Sequence, residues 1–128
     1  MKGRLIHIKE NSFLGEIENH SIVFDEGKNS ISPMQALLLS LAGCTAMDVW
    51  NIMIKKRQNL KNLEIEIEGK RRDSYPRIFT EINLKYIFYG NVEEKACEQS
   101  IKLSMEKYCS ISNMLKNKVD IKTSFEII

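Results

Sequence analysis

Hydrophobic and polar positions run together in one part of this chain and alternate in others, and each change of rhythm marks an element. Between positions 36 and 47 almost every residue is apolar or small. That run lies inside a longer segment, 32–57, whose ends carry helix signals. Ser32 suits an N-cap, Pro33 the first helical position, and Gln35 completes a Ser-x-x-Gln capping box. Lys55, Lys56 and Arg57 place cations where the helix dipole favours them. A surface that is apolar on every side predicts a helix buried on every side. Cys44 and, one turn later, Asp48 sit in its middle.

Strict alternation follows. Glu64-Ile65-Glu66-Ile67-Glu68 reads as a strand with isoleucine inward and glutamate in water. Asp73-Ser74-Tyr75-Pro76 reads as a turn, and Lys70-Arg71-Arg72-Asp73 as a solvated strand end. Ile78, Thr80, Ile82, Leu84, Tyr86 and Phe88 then line one face of a long strand that ends at Gly90-Asn91. Ahead of the central helix, three short strands are predicted at 4–8, 13–18 and 21–25. Residues 92–108 read as a second helix with Cys97, Ile101, Ser104, Met105 and Tyr108 on one side. Cys109-Ser110-Ile111-Ser112 breaks it and starts a short third helix through Leu115. Val119, Ile121, Thr123, Phe125 and Ile127 alternate along a last strand. The order β-β-β-α-β-β-α-β predicts one α+β domain over residues 1–128. A helix apolar all round would outstrip the cover that so short a chain supplies, which predicts a homodimer.

Composition narrows the partners. Nineteen basic and seventeen acidic residues give a net charge of +2, and no face collects Lys and Arg alone. No nucleic-acid partner is expected. No apolar run reaches the ~18 residues of a membrane span, so no membrane partner is expected either. The first residues carry Arg4, His7 and Lys9 instead of an apolar signal core. A cytoplasmic location follows as the expectation, where thiols stay reduced unless they are catalytic or redox-sensing.

Three cysteines, Cys44, Cys97 and Cys109, with no Cys-x-x-Cys, speak against a disulfide scaffold and a structural zinc site. His7 and His20 lack ligand-like spacing to the thiols, so neither metal nor cofactor is expected. Cys44 is either a small core residue or a nucleophile that needs a cation or donor to favour its thiolate. Asp48 opposes that thiolate unless it is itself paired, and Arg71, Arg72, Arg77 or a lysine are the candidates. Cys109 precedes a helix start, where backbone N–H groups are expected to lower its thiol pKa. Two thiols on neighbouring elements could form an attacking and resolving pair. Cys97 faces the core and reads as packing, and Gln35 is a cap first.

At Ser32-Pro33-Met34-Gln35, at Gly43-Cys44-Thr45-Ala46-Met47-Asp48-Val49 and at Lys107-Tyr108-Cys109-Ser110-Ile111-Ser112, the chain resembles the OsmC/Ohr superfamily. Arg71-Arg72-Asp73 and Pro76-Arg77-Ile78-Phe79-Thr80 before a long strand fit the same pattern. The resemblance implies antiparallel sheets wrapped around a long buried central helix in an intertwined homodimer. It implies a peroxidase of organic hydroperoxides, with hydrogen peroxide as a second candidate substrate. Cys44 then matches the peroxidatic cysteine and Cys109 the resolving one, with Asp48 and Gln35 in support. The reductant would be a dithiol, either a lipoyl-bearing or a thioredoxin-like protein. Those peroxidases use an arginine from the N-terminal strands, held by a glutamate just after the helix-start proline. Here Met34 and Gln35 stand at that place, as in a less characterised branch where an Asp follows the Cys by one turn. The alternative on the same fold is a redox-sensing or small-ligand-binding protein.

Overall fold

The computed structural model describes residues 1–128, which divide into two compact units, Met1–Leu37 and Leu38–Ile128. In the first unit, β1 (Gly3–Lys9), β2 (Ser12–Ile17) and β3 (His20–Phe24) form an antiparallel sheet in that order. Two tight turns join them. Glu10 and Glu18 open these turns with φ of 47° and 51°, in the left-handed region. After β3, Asp25 organises the loop: its carboxylate accepts hydrogen bonds from the N–H groups of Gly27, Lys28, Asn29 and Ser30 at 2.7–3.1 Å. Desolvation pushes its carboxyl pKa up, but these four donors outweigh it and hold the group below its usual value.

Helix α1 (Pro33–Lys55) begins at the predicted capping box. Ser32 Oγ accepts from the Gln35 N–H at 3.1 Å, and Gln35 Oε1 accepts from the Ser32 N–H at 2.9 Å. Its burial corrects one expectation. Leu41, Ala42, Thr45, Val49 and Met53 form a buried stripe. Leu39, Met47, Trp50 and Ile54 form a second stripe that the chain leaves exposed, between 38% and 66%. The absence of a span-length apolar run is also corrected. Ser40, Thr45 and Asp48 dilute the run without ending it, and α1 is long and apolar enough to cross a membrane by length and composition alone. Here its inner stripe is core: Leu41, Val49 and Met53 are wholly buried.

The second unit is built on β4 (Asn59–Arg71), β5 (Phe79–Asn91) and β6 (Asp120–Ile127), in that order. β4 and β5 pair antiparallel, with Ile65 opposite Tyr86 and Ile67 opposite Leu84. Gly69 is required there, because a Cβ would stand 2.7 Å from the Phe79 ring. Ile82, Leu84, Tyr86 and Phe88 are the buried face of β5, and Phe125 meets Phe88 edge-on at 5.9 Å. Ile78 and Thr80, expected on that face, are exposed at the open end of the strand. β6 runs parallel to β5, not antiparallel as expected. The chain between them is a helical crossover, and a crossover returns the next strand in the same direction.

That crossover holds α2 (Glu94–Leu103), a π-helical turn at Ser104–Tyr108, and α3 (Ser110–Leu115). The wide turn closes with the Cys109 N–H donating to the Ser104 carbonyl at 2.8 Å. Its extra residue shifts the helical phase, so Tyr108, expected inward, is half exposed under Lys107.

Candidate functional site

Cys44 and Asp48 lie one turn apart on α1, on the flank between its buried and exposed stripes. Both are half-buried. Cys109 approaches from the start of α3 and is wholly buried. The two sulfurs and an Asp48 carboxylate oxygen all lie within 4.8 Å of one another. The fold thus brings together three of the four expected site residues. The fourth, Gln35, is engaged in the helix cap.

Cys109 and Asp48 are each held by partners that the chain supplies. Cys109 is the N-cap of α3, and its sulfur accepts the Ser112 N–H at 3.4 Å. Its carbonyl accepts from the Ser112 hydroxyl at 3.1 Å and from Asn113 Nδ2 at 2.8 Å. The helix start was expected to lower its thiol pKa. Burial instead pushes it up, the Ser112 donors offset only part of that, and the Cys44 thiol alongside raises it further.

Asp48 takes no salt bridge from Arg71, Arg72 or Arg77. Arg71 bonds the Arg77 carbonyl, and Arg72 bonds the carbonyls of Ser74 and Tyr75. The carboxylate instead ends a chain of buried hydroxyls. Ser104 Oγ donates to Asp48 Oδ2 at 3.0 Å. Thr45 Oγ1 lies 2.7 Å from Ser104 Oγ and 2.8 Å from the Tyr86 hydroxyl. A hydroxyl has one proton. Because Ser104 gives its own to Asp48, Thr45 donates to Ser104 and Tyr86 donates to Thr45. Every donor points toward the carboxylate, and the bonds polarise one another in this dry interior. Burial raises the Tyr86 pKa well above its ordinary value, and the charges of Cys109 and Asp48 add to that.

Thr45, Tyr86, Ser104 and Ser112 were missed as site residues. The available signal was polar residues on otherwise apolar faces: Thr45 inside the apolar run of α1, and Ser104 beside Cys97 and Ile101. The donor set was missed as well. Histidine spacing pointed away from a metal cluster, yet the fold assembles two sulfurs and a carboxylate without histidine. A cleft of about 900 Å³ between α2, α3 and β6 includes Lys102, Met105 and Phe125 in its wall but neither Cys44, Asp48 nor Cys109.

Residues 25–124 match the family model of OsmC-like proteins, and the chain belongs to that family. It is 37% identical over 132 residues to protein YhfA of Escherichia coli K12, covering 100% of this chain and 98% of that one. A solved structure of a hypothetical protein from Aquifex aeolicus is 40% identical, covers 99% of this chain and 95% of its own, and superposes with a TM-score of 0.93. A Legionella pneumophila structure described as an organic hydroperoxide resistance protein OsmC shares the fold at a TM-score of 0.75. It has 16% identity and covers 98% of this chain and 95% of its own.

Proposed function

We propose that this protein is a cysteine-based peroxidase of organic hydroperoxides. The observation that carries the reading is the meeting of Cys44, Cys109 and Asp48 within 4.8 Å. The name of the Legionella pneumophila neighbour supports the substrate class. Asp48 accepts the Cys44 thiol proton, and the thiolate attacks the distal peroxide oxygen. An S–O bond forms, the O–O bond breaks, and the leaving alkoxide takes the proton from Asp48 to depart as an alcohol. Cys109 then attacks the sulfenic sulfur, an S–S bond forms, and water leaves. An external dithiol, of lipoyl or thioredoxin type, restores both thiols by exchange and is itself oxidised to a disulfide. A reducing cytoplasm suits such a cycle.

The working unit in this reading is a homodimer. The exposed stripe Leu39, Met47, Trp50 and Ile54 supports it, as does Gly43 in the same stripe, where a Cβ would meet nothing within 4 Å. Gly43→Leu is then tolerated by the single chain but keeps a second helix at a distance. Analytical ultracentrifugation is expected to show a shift from dimer to monomer, and an unchanged dimer rejects this interface.

A second reading has its own observation: no lysine or arginine hydrogen-bonds either thiol or pairs with Asp48. Without a cation the pair could act once, as a redox sensor or the wall of a small-ligand site. One experiment separates the two. Reduced protein receives one equivalent of cumene hydroperoxide and the oxidised residues are mapped by peptide mass spectrometry. A Cys44–Cys109 disulfide, followed by repeated turnover with dihydrolipoamide, supports the peroxidase. A disulfide without turnover supports the sensor, and unmodified thiols reject both redox readings.

A further inference from the structure

We infer that Cys44, Cys109 and Asp48 also form a site for one thiophilic divalent cation of the zinc type. The inference stands on geometry and does not require the peroxidase reading. Two sulfurs and one carboxylate oxygen suit Zn²⁺ or Co²⁺, whereas Mg²⁺ and Ca²⁺ take oxygen ligands. A tetrahedral zinc with sulfurs at ~2.3 Å holds them ~3.8 Å apart. The three ligand atoms already lie within 4.8 Å of one another, so closing on a metal brings the two sulfurs together by at most about 1 Å. A disulfide needs its sulfurs at ~2.05 Å, a larger movement from the same start.

The outer contacts of two of the ligands, Asp48 and Cys109, are also those of a metal site. Ser104 donates to Asp48 and fixes its rotamer, with Thr45 and Tyr86 behind it. The Ser112 N–H donates to the Cys109 sulfur. Such second contacts orient ligands and stabilise the anionic form that a metal requires. Charge points the same way: two thiolates and a carboxylate carry −3, and the chain places no lysine or arginine on them. A divalent cation supplies that positive charge, displacing one proton from each thiol as it binds. Three protein ligands leave a fourth position for water or a small molecule. Because a disulfide would use the same two sulfurs, metal occupancy and the Cys44–Cys109 disulfide exclude one another.

The test uses reduced full-length protein, free of oxygen, titrated with Co²⁺ and read by the near-ultraviolet thiolate-to-cobalt absorption. One equivalent per chain should saturate the band, and Zn²⁺ should then erase it, since zinc binds such sites more tightly. Cys44→Ser should remove about half of the band, because one of two thiolate ligands is lost. Ser104→Ala should keep the full band but weaken binding by roughly tenfold. Cys97→Ser should change neither. Circular dichroism on each variant separates lost ligands from lost fold. No band at stoichiometric Co²⁺, a band that survives Cys44→Ser at full height, or one that vanishes in Cys97→Ser would each overturn the site. The same protein tested with hydroperoxide reports on the peroxidase independently, so the two ideas can fail separately.

Discussion

Cys97 and Cys109 are the same residue with the same exposure, 0%, and they do different things. Cys97 sits mid-way along α2, where burial pushes its thiol up to about 11 and the charge of Glu94 adds to the effect. Cys109 sits at a helix start, with an N–H on its sulfur and a second thiol beside it. Burial disfavours the thiolate at both places. What separates them is the neighbourhood, one a stretch of core and the other a cluster of ligand-type atoms. A buried cysteine acquires chemistry from what shares its cavity, not from burial itself.

The strongest way to break this comparison is to remove the neighbour. Cys44→Ser leaves Cys109 buried and bonded to Ser112 but takes away the sulfur beside it. Hydroperoxide consumption, followed with dihydrolipoamide as reductant, is expected to fall by more than about a hundredfold, as for loss of a nucleophile. If the variant keeps the rate, Cys109 is no more special than Cys97.

Much of this difference was legible in the sequence, and the reason is local. The Ser32–Gln35 capping box, the isoleucine alternation of β4 and the break at Cys109 are written in neighbouring residues. The structure honours all three. What was not legible depends on partners far apart along the chain. The direction of β6 is set by a crossover, the phase of Tyr108 by one extra residue in a wide turn, and the partner of Asp48 by a serine 56 positions away. Arginines looked like the natural match for a carboxylate in an apolar run. The fold satisfies it with hydroxyls instead, which the hydropathy pattern records only as small exceptions on apolar faces.

The next test sharpens the comparison through that hydroxyl chain, which the Cys44–Cys109 side of the molecule has and the Cys97 side lacks. Thr45→Val is close to isosteric and removes only the central hydroxyl. The buried Tyr86 hydroxyl then loses its acceptor and Ser104 its donor. An unpaired buried polar group costs about 1–3 kcal/mol. Urea denaturation is expected to show a lower midpoint with an unchanged slope. Ser100→Ala, near Cys97, removes a hydroxyl whose bond is to the Cys97 carbonyl of the same helix at 2.8 Å. Its loss is expected to cost less, near the ~0.5–1.5 kcal/mol of an ordinary hydrogen bond. Equal effects would mean that the chain to Asp48 is no more than packing.

The smallest expected effect belongs to Cys97 itself, and its sign follows from the raised thiol pKa. In the unfolded chain a cysteine titrates near 8.5, while in the fold Cys97 holds its proton up to about 11. Between those values the folded state binds more protons than the unfolded one, so stability falls as pH rises. The contribution is complete below about pH 8.5 and is lost as pH climbs through the folded value. Cys97→Ala should therefore flatten the alkaline limb of the stability curve, read as urea midpoints from pH 8 to pH 11, while hydroperoxide turnover at neutral pH stays unchanged. An alkaline limb as steep as in the parent protein would place the responsible group elsewhere, and Cys109, raised by the same burial, would be the one to replace next. A fall in turnover would show that Cys97 is coupled to the Cys44 site, and the contrast between two cysteines of equal burial would no longer hold.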